Sequence, residues 1–278
     1  MVESYAYDST VTTRYDASGF RMRVPTSEYL GSLTEIFYGL TDKLTIGLFG
    51  RFAYQRLTPG PHNSTLAAGD CSLQAQYQLH EWSPGGMIPT ISLVLGETLP
   101  TARYDQLGVR SSDGIGTGAH VTSVAIYSQR VFRMPSNRLL RARLNVSYSF
   151  SDMVPTRGVS VYGTGEGFRG QVRPGASQEI DGAAEYSVSR HWVVAVDVDY
   201  VRSSGTLIRG SYSRDSTNNN IPASIETRLA ANRLLSIAPA VEYNFTSDLG
   251  IIVGAVLPLS GRNTSASIIP MVAINMFF

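Results

Sequence analysis

Three features of this sequence predict an all-β fold, a single transmembrane antiparallel up-and-down β-barrel of about twelve strands. First, the chain closes on a period-2 apolar stripe, Ile268, Pro270, Val272, Ile274 and Met276, followed by Phe277 and a final Phe278. Second, alternation of the same kind recurs along most of the chain. Third, the segments between the alternating runs are by turns short and long. An apolar strand at the end of a soluble sheet would be a bare edge prone to aggregation, whereas in a closed barrel it pairs with the first strand. Taken alone, the closing stripe also fits a buried strand of a soluble β-sandwich.

Composition supports the barrel. The 278 residues are 16% charged, against about 25% in soluble proteins. Mean hydropathy is −0.03, as expected for strands apolar on one face only. No run approaches the roughly 18 apolar residues of a membrane-spanning helix. A net charge of +1 argues against a nucleic-acid partner. Nearly all positive charge is arginine, with Lys43 the only lysine; guanidinium pairs with carboxylate and phosphate in a bidentate fork. The single Cys71 excludes an internal disulfide and a multi-cysteine metal site. Met1-Val2-Glu3 opens directly in polar sequence. The strand pattern favours a mature chain whose export signal has been removed over a cytosolic protein.

The strands follow in order. Leu44 to Tyr54 puts Leu44, Ile46, Leu48, Phe52 and Tyr54 on one face and Thr45, Phe49 and Arg51 on the other. Leu140 to Phe150 alternates Leu, Ala, Leu, Val, Tyr and Phe with Arg, Arg, Asn, Ser and Ser. Trp192 to Tyr200 carries Asp197 and Asp199 on its minor face, and Leu235 to Phe245 carries Glu242. These are half-buried strands by the period test. Thr117 to Phe132 is ambiguous, because Val121, Ala125, Tyr127 and Val131 compete with Val124, Ile126 and Phe132. The first set is expected to face lipid.

Short turns are predicted at Thr41-Asp42-Lys43, Glu81 to Gly86, Met134 to Asn137, Ser189-Arg190-His191 and Ser247-Asp248. Longer connections are predicted at Thr58 to Leu66, Ala102 to Gly116, Ser151 to Gly175, Ser203 to Arg233 and Ser260 to Thr264. Periplasmic turns and extracellular loops alternate in this way in bacterial outer-membrane barrels. From about Glu28 the pattern gives an odd number of strands, the first and last both running toward the turn end. Even parity then requires a further strand before Glu28, for which Tyr5, Tyr7, Ser9, Val11, Thr13 and Tyr15 are the only candidate. Residues 1–27 are thus an N-terminal segment holding that first strand within a single domain spanning the chain.

Aromatic residues gather near strand ends on the apolar face. Tyr54, Tyr77, Tyr148, Tyr186, Trp192, Tyr200, Tyr243 and Phe278 are candidates for two lipid-interface girdles. The minor faces supply the lumen-lining candidates Arg51, Asp70, Arg141, Arg143, Asp181, Glu185, Asp197, Asp199 and Glu242. Opposite charges on adjacent strands can pair across the sheet. Either they neutralise one another in a filled interior, or they set a transverse field across a water-filled pore. The long loops hold Arg157, Arg169, Arg173, Arg202, Arg209, Arg214 and Arg228, read either as solvated charge or as ligands for lipopolysaccharide phosphates. Asn218-Asn219-Asn220 reads as a flexible loop tip.

Enzymatic chemistry finds little support. A barrel lipase needs a serine–histidine pair with an orienting polar group. Of His62, His80, His120 and His191, only His120 lies near a strand end beside Thr117, Thr122 and Ser123. Gly163-Thr164-Gly165-Glu166-Gly167 lacks the following helix a phosphate loop requires. No catalytic residue, cofactor or metal is expected.

Several stretches resemble a known family. They are Glu35 to Leu48 with its Tyr-Gly-Leu-Thr-Asp turn, Ala68 to Tyr77 with a Gly69-Asp70 strand opening, Ser92 to Thr101 with Leu99-Pro100-Thr101, and Pro239 to Tyr243. The chain resembles the outer-membrane, transporter-like proteins assigned to the MetA pathway of phenol degradation, although Ala102 and Arg103 stand where that family often has Gly. The resemblance implies a barrel passing small, often aromatic or hydrophobic molecules. The terminal Phe278 likewise resembles the signal read by the barrel-assembly machinery of Gram-negative bacteria.

The sequence therefore reads as an outer-membrane channel for passive passage of a small solute, embedded in lipid and lipopolysaccharide. The alternatives are a structural or surface-interaction barrel with a plugged lumen, using its Ser151–Gly175 and Ser203–Arg233 loops, and a lipase-like barrel.

Overall fold

A computed structural model describes residues 1–57, 65–108, 111–213 and 224–278. His62, Arg214, the tip at Asn218 to Asn220 and most of the connection from Thr58 to Leu66 lie outside the described residues. In chain order the strands are β1 (Val2–Tyr15), β2 (Arg21–Gly39), β3 (Leu44–Leu57), β4 (Thr65–Ala68), β5 (Cys71–His80) and β6 (Thr90–Leu99). There follow β7 (Val121–Arg133), β8 (Leu139–Ser151), β9 (Val154–Arg157), β10 (Phe168–Arg173), β11 (Ser177–Ser187) and β12 (Trp192–Ser203). The last are β13 (Leu207–Tyr212), β14 (Ser224–Arg228), β15 (Asn232–Asn244), β16 (Leu249–Arg262), β17 (Thr264–Ser265) and β18 (Ile269–Met276).

The principal sheet is a closed antiparallel barrel of 12 strands. β1 closes it: Glu3, Tyr5 and Tyr7 stand opposite Glu35, Leu33 and Gly31 of β2, and also opposite Asn275, Ala273 and Met271 of β18. The strand that parity required is thus the one that removes the edge. β2 begins at Arg21, earlier than the alternation suggested, because a bulge between Val11 and Thr13 absorbs the irregular stretch around Pro25. Both termini sit at the short-turn end, where the Met1 ammonium donates to the Phe37 carbonyl (3.0 Å) and the Phe277 N–H to the Asp248 carbonyl (2.9 Å).

The barrel carries its apolar surface outside. Leu144 is 51% exposed and Phe52 55% exposed, while inward positions are small or polar, such as Ala53, Ser92, Ser236 and Ala273. Such a belt needs an apolar surrounding. β7 corrects one expectation. Val124, Ile126 and Phe132 are the outward residues, and Val121, Ala125, Tyr127 and Val131 belong to the inward face. Tyr127 stands opposite Asn145 of β8, and Ala125 opposite Ser147 and the buried Val94. The neighbours' polarity, which β7 alone does not reveal, decides its orientation.

At the loop end, the predicted loops Ser151 to Gly175 and Ser203 to Arg233 hold strands of their own. β9, β10, β13 and β14 form a separate antiparallel sheet in the order β14-β13-β10-β9. Its core is Phe168, Val172 and Ile208, with Tyr162, Tyr212 and Ile225 packed against them. Gly170 faces Gly210 across the ladder, and the Phe168 ring covers both; a Cβ on either would come within 2.7 Å of Phe168 Cζ. The connection from 100 to 120 is stitched to this sheet. Leu107 bridges Val159, the Tyr104 hydroxyl donates to the Pro155 carbonyl (2.8 Å), and the Tyr162 hydroxyl donates to the Thr117 carbonyl. Three connections thus form one cap.

Two predictions follow from these placements. Leu144→Arg or Val196→Arg, on the outward stripes, should lower unfolding stability in lipid by about 2–4 kcal/mol, and Ser147→Arg, one face over, by much less. Urea titration followed by heat-modifiable gel mobility measures this, and equal damage at both faces would refute the assignment of faces. In the cap, burial pushes the Tyr162 hydroxyl pKa up, with the charges at Asp70 and Tyr104 adding to it. The folded state therefore favours the neutral phenol, and its contribution is complete below the unfolded tyrosine pKa of about 10 and declines above it. Tyr162→Phe should weaken cap resistance to subtilisin at pH 8, and its difference from the native protein should shrink toward pH 11.

Candidate functional site

The inward face of the barrel gathers the charged side chains. Residues 141 and 143 of β8, 181 and 185 of β11, and 197 and 199 of β12 share that face because strands side by side in register keep partners on one side of the sheet. Glu185 stands opposite Arg141, Ala183 lies between Arg143 and Asp197, and Asp181 stands between Asn145 and Asp199. The side chains connect accordingly. Arg141 reaches Glu185 at 3.3 Å, Arg143 reaches the other Glu185 oxygen at 3.0 Å, and Arg143 lies 3.8 Å from Asp197. Arg141 also donates twice to Gln129 Oε1, and Asn145 Nδ2 to Asp181. Glu242 of β15 accepts from Asn275 Nδ2 at 3.0 Å. Arg51 of β3 faces inward, opposite Leu33.

Asp70 departs from the lumen-lining expectation. It precedes β5 at the loop end, and its carboxylate accepts from the N–H groups of Ala102 (2.9 Å) and Thr117 (2.7 Å) and from the Thr117 hydroxyl (2.9 Å). It clamps the base of the cap connection.

Three further carboxylates share the bore. Glu3 and Glu35 face one another across β1 and β2, and Glu179 extends the Asp181–Glu185 row of β11. Glu3 lay in a segment whose alternation is weak, and Glu35 in a stretch legible mainly as the lead-in to a turn. Glu179 was within reach of the sequence, since it sits two residues before Asp181. Tyr5, Tyr7 and Tyr29 add aromatic surface, with Tyr7 and Tyr29 stacked at 6.0 Å across Gly31.

Among the described residues the inward face carries the carboxylates Glu3, Glu35, Glu179, Asp181, Glu185, Asp197, Asp199 and Glu242 against the guanidiniums Arg51, Arg141 and Arg143, with Arg21 and Arg23 toward the loop end and Arg133 at the turn end. Glu185 keeps 23% and Asp197 38% of its side-chain exposure inside the barrel, whereas Glu3 is buried at the seam. Asp197 and Asp199 each keep one buried oxygen without a hydrogen-bond partner. Ion pairs this exposed contribute at most about 1 kcal/mol each, so their placement matters more for the field in the bore than for stability.

The aromatic residues of the outward face differ in exposure. Tyr77, Tyr148 and Trp192 are exposed, and Tyr54, Tyr186, Tyr200 and Tyr243 are half-buried on the same face. At the turn end Trp192, Tyr243 and Phe245 form a chain of edge-to-face contacts at 4.8 and 5.1 Å. Phe278 is 97% exposed. His120 sits on the outward face of the rim with Nδ1 3.1 Å from Glu97, which also accepts from Thr122. Among the described residues no cluster of three or more His, Cys, Asp or Glu could hold a metal ion.

No family model matches the chain, and no curated protein matches its sequence. Among solved structures, an outer membrane channel from Pseudomonas putida F1 is similar over 100% of this chain and 94% of its own, at 14% identity and a TM-score of 0.68. The translocator domain of the autotransporter NalP from Neisseria meningitidis is 10% identical over 100% of this chain and 88% of its own, with a TM-score of 0.49. The NanC porin is 8% identical over the full length of both chains, with a TM-score of 0.47. At these identities the likeness to the Pseudomonas channel is one of fold, and the turn motifs that resemble the phenol-degradation family extend no further than that.

Proposed function

We propose that this protein is an outer-membrane channel for passive passage of small solutes, and that its bore favours cations. The observation that carries this reading is the excess of carboxylates over guanidiniums on the inward wall of a closed barrel. An acid-rich, low-dielectric tube concentrates cations and repels anions. The apolar belt supports residence in a bilayer, and the inward tyrosines suit a solute with an organic body. The aromatic or hydrophobic solute implied by the family resemblance is thereby narrowed to small organic cations. The turn end with both termini faces the periplasm in this reading, the cap faces outward, and the exposed Phe278 is free to engage the assembly machinery. The cap, roofing part of the rim, is the observation that favours a plugged surface-interaction barrel instead.

Planar-bilayer recording separates these readings. The native protein should give discrete openings with a cation-selective reversal potential in a potassium chloride gradient. Arg141→Ala with Arg143→Ala should increase that selectivity, and Asp197→Asn with Asp199→Asn should reduce it. Heat-modifiable mobility, recorded in parallel, reports whether each barrel folds. Folded barrels that never conduct would refute the channel and leave the plugged scaffold; folded, conducting barrels indifferent to both pairs of changes would refute the charge-lined path.

A further inference from the structure

The outer flank of the rim holds a second charged feature, which the ion network of the bore does not use. Arg202 of β12 stands opposite Arg233 of β15, and Arg233 opposite Arg262 of β16. Arg202 is therefore a strand residue rather than the loop residue the sequence suggested. Three arginines share one row across three adjacent strands, with neighbouring Cα atoms about 5 Å apart. All three are exposed. Their side is the outward one. Arg202 continues the stripe Val198–Tyr200, Arg233 precedes Leu235, and the intervening Gly261 points inward, where a Cβ would meet the Tyr15 ring at 2.5 Å.

Like charges placed directly opposite in a sheet repel. Among the described residues none of the three forms an ion pair with a carboxylate. The level of the row is also informative. From Trp192 to Tyr200 the outward stripe of β12 runs roughly 26 Å along the strand, or roughly 20 Å along the normal after tilt, close to the apolar band of about 25 Å. Arg202 comes one outward step later, at headgroup height. Immediately beside it a cleft of about 430 Å³ opens at the root of the cap, lined by Arg173, Arg228 and the outward Phe150.

We infer that this flank is a binding site for a phosphorylated lipid. Its phosphates sit in the guanidinium forks of Arg202, Arg233 and Arg262, with Arg173 and Arg228 above, and its acyl chains run down the stripes of Tyr200 and Leu235. Guanidinium suits this task because it binds phosphate oxygens in pairs and stays charged. The inference rests on the membrane reading but not on conduction.

The test is native mass spectrometry of the full chain in mild detergent, titrated with a bisphosphorylated lipid A and with its dephosphorylated form. The native protein should retain the phosphorylated lipid and release the other. Arg202→Gln/Arg233→Gln/Arg262→Gln should weaken retention at least tenfold. The corresponding triple lysine variant, which keeps charge without the fork, should lie between. Arg169→Gln/Arg209→Gln on the cap sheet should change nothing. Should the triple variant not fold, Arg202→Gln/Arg233→Gln serves in its place. Equal retention by native and glutamine variants, or equal retention of both lipids, would overturn the proposal. Displacement of the lipid by millimolar inorganic phosphate would also overturn it, reducing the row to a free-phosphate site. Insertion into vesicles free of phosphorylated glycolipid, scored by heat-modifiable mobility, reports the membrane reading separately.

Discussion

The structure depends on the closure of β1 against β18. An apolar environment offers no water to an unpaired N–H or C=O, so a sheet with a free edge has no stable place there. Val2 to Tyr7 therefore meets Met271 to Met276 on one side and the run from Gly31 to Ile36 on the other. Once this seam forms, side-chain alternation acquires a meaning at every position: outward is apolar, inward is the bore. The charged wall exists because closure turns the minor faces of β8, β11 and β12 toward one another and toward the tyrosines of β1.

That logic explains which parts of the fold were legible. Strands such as Leu139–Ser151 and Trp192–Ser203 announce themselves, because from Leu140 to Phe150 and from Trp192 to Tyr200 the outward residues are all apolar and the inward ones mostly polar or small. β1 has no such contrast; Tyr5 and Tyr7 point inward and Ser4 and Thr10 outward, so only the parity of the closed barrel exposes it. β7 fails for the opposite reason: both faces carry branched or aromatic residues, and the choice falls to neighbours distant in sequence. The cap strands were missed because Phe168–Arg173 and Leu207–Tyr212 are too short for a membrane stripe. They bury Phe168, Val172 and Ile208 against one another in a small core of ordinary globular type.

The site was legible as a set of minor-face charges rather than as particular contacts. Arginine and carboxylate at alternate positions on adjacent strands show in the sequence that cross-strand pairing is open to them; the register of β8 against β11, which alternation does not fix, is what gives Glu185 both Arg141 and Arg143. Asp70 could not be assigned this way. Its neighbours Ala102 and Thr117 come from a connection whose path no local pattern dictates, and a carboxylate beside a strand looks the same whether it faces a bore or gathers backbone N–H groups. Glu3 and Glu35 become part of the wall only through the seam.

Cap and charge are linked by topology. The connections that build the cap rise from β6 and β7, β8 and β11, and β12 and β15. The strands β8, β11 and β12 also carry the paired arginines and most of the carboxylates. At the seam the rim is low: β1 turns into β2 within Asp16 to Phe20, and β16 passes to β17 through Asn263 alone. The roof thus stands over the charged wall, and the tyrosine-bearing seam faces it from the low side of the rim. The same β12 serves both surfaces, since its inward face presents Asp197 and Asp199 to the bore while its outward face ends in Arg202. One strand, through nothing more than the period of two, holds opposite charges on opposite sides of the barrel wall.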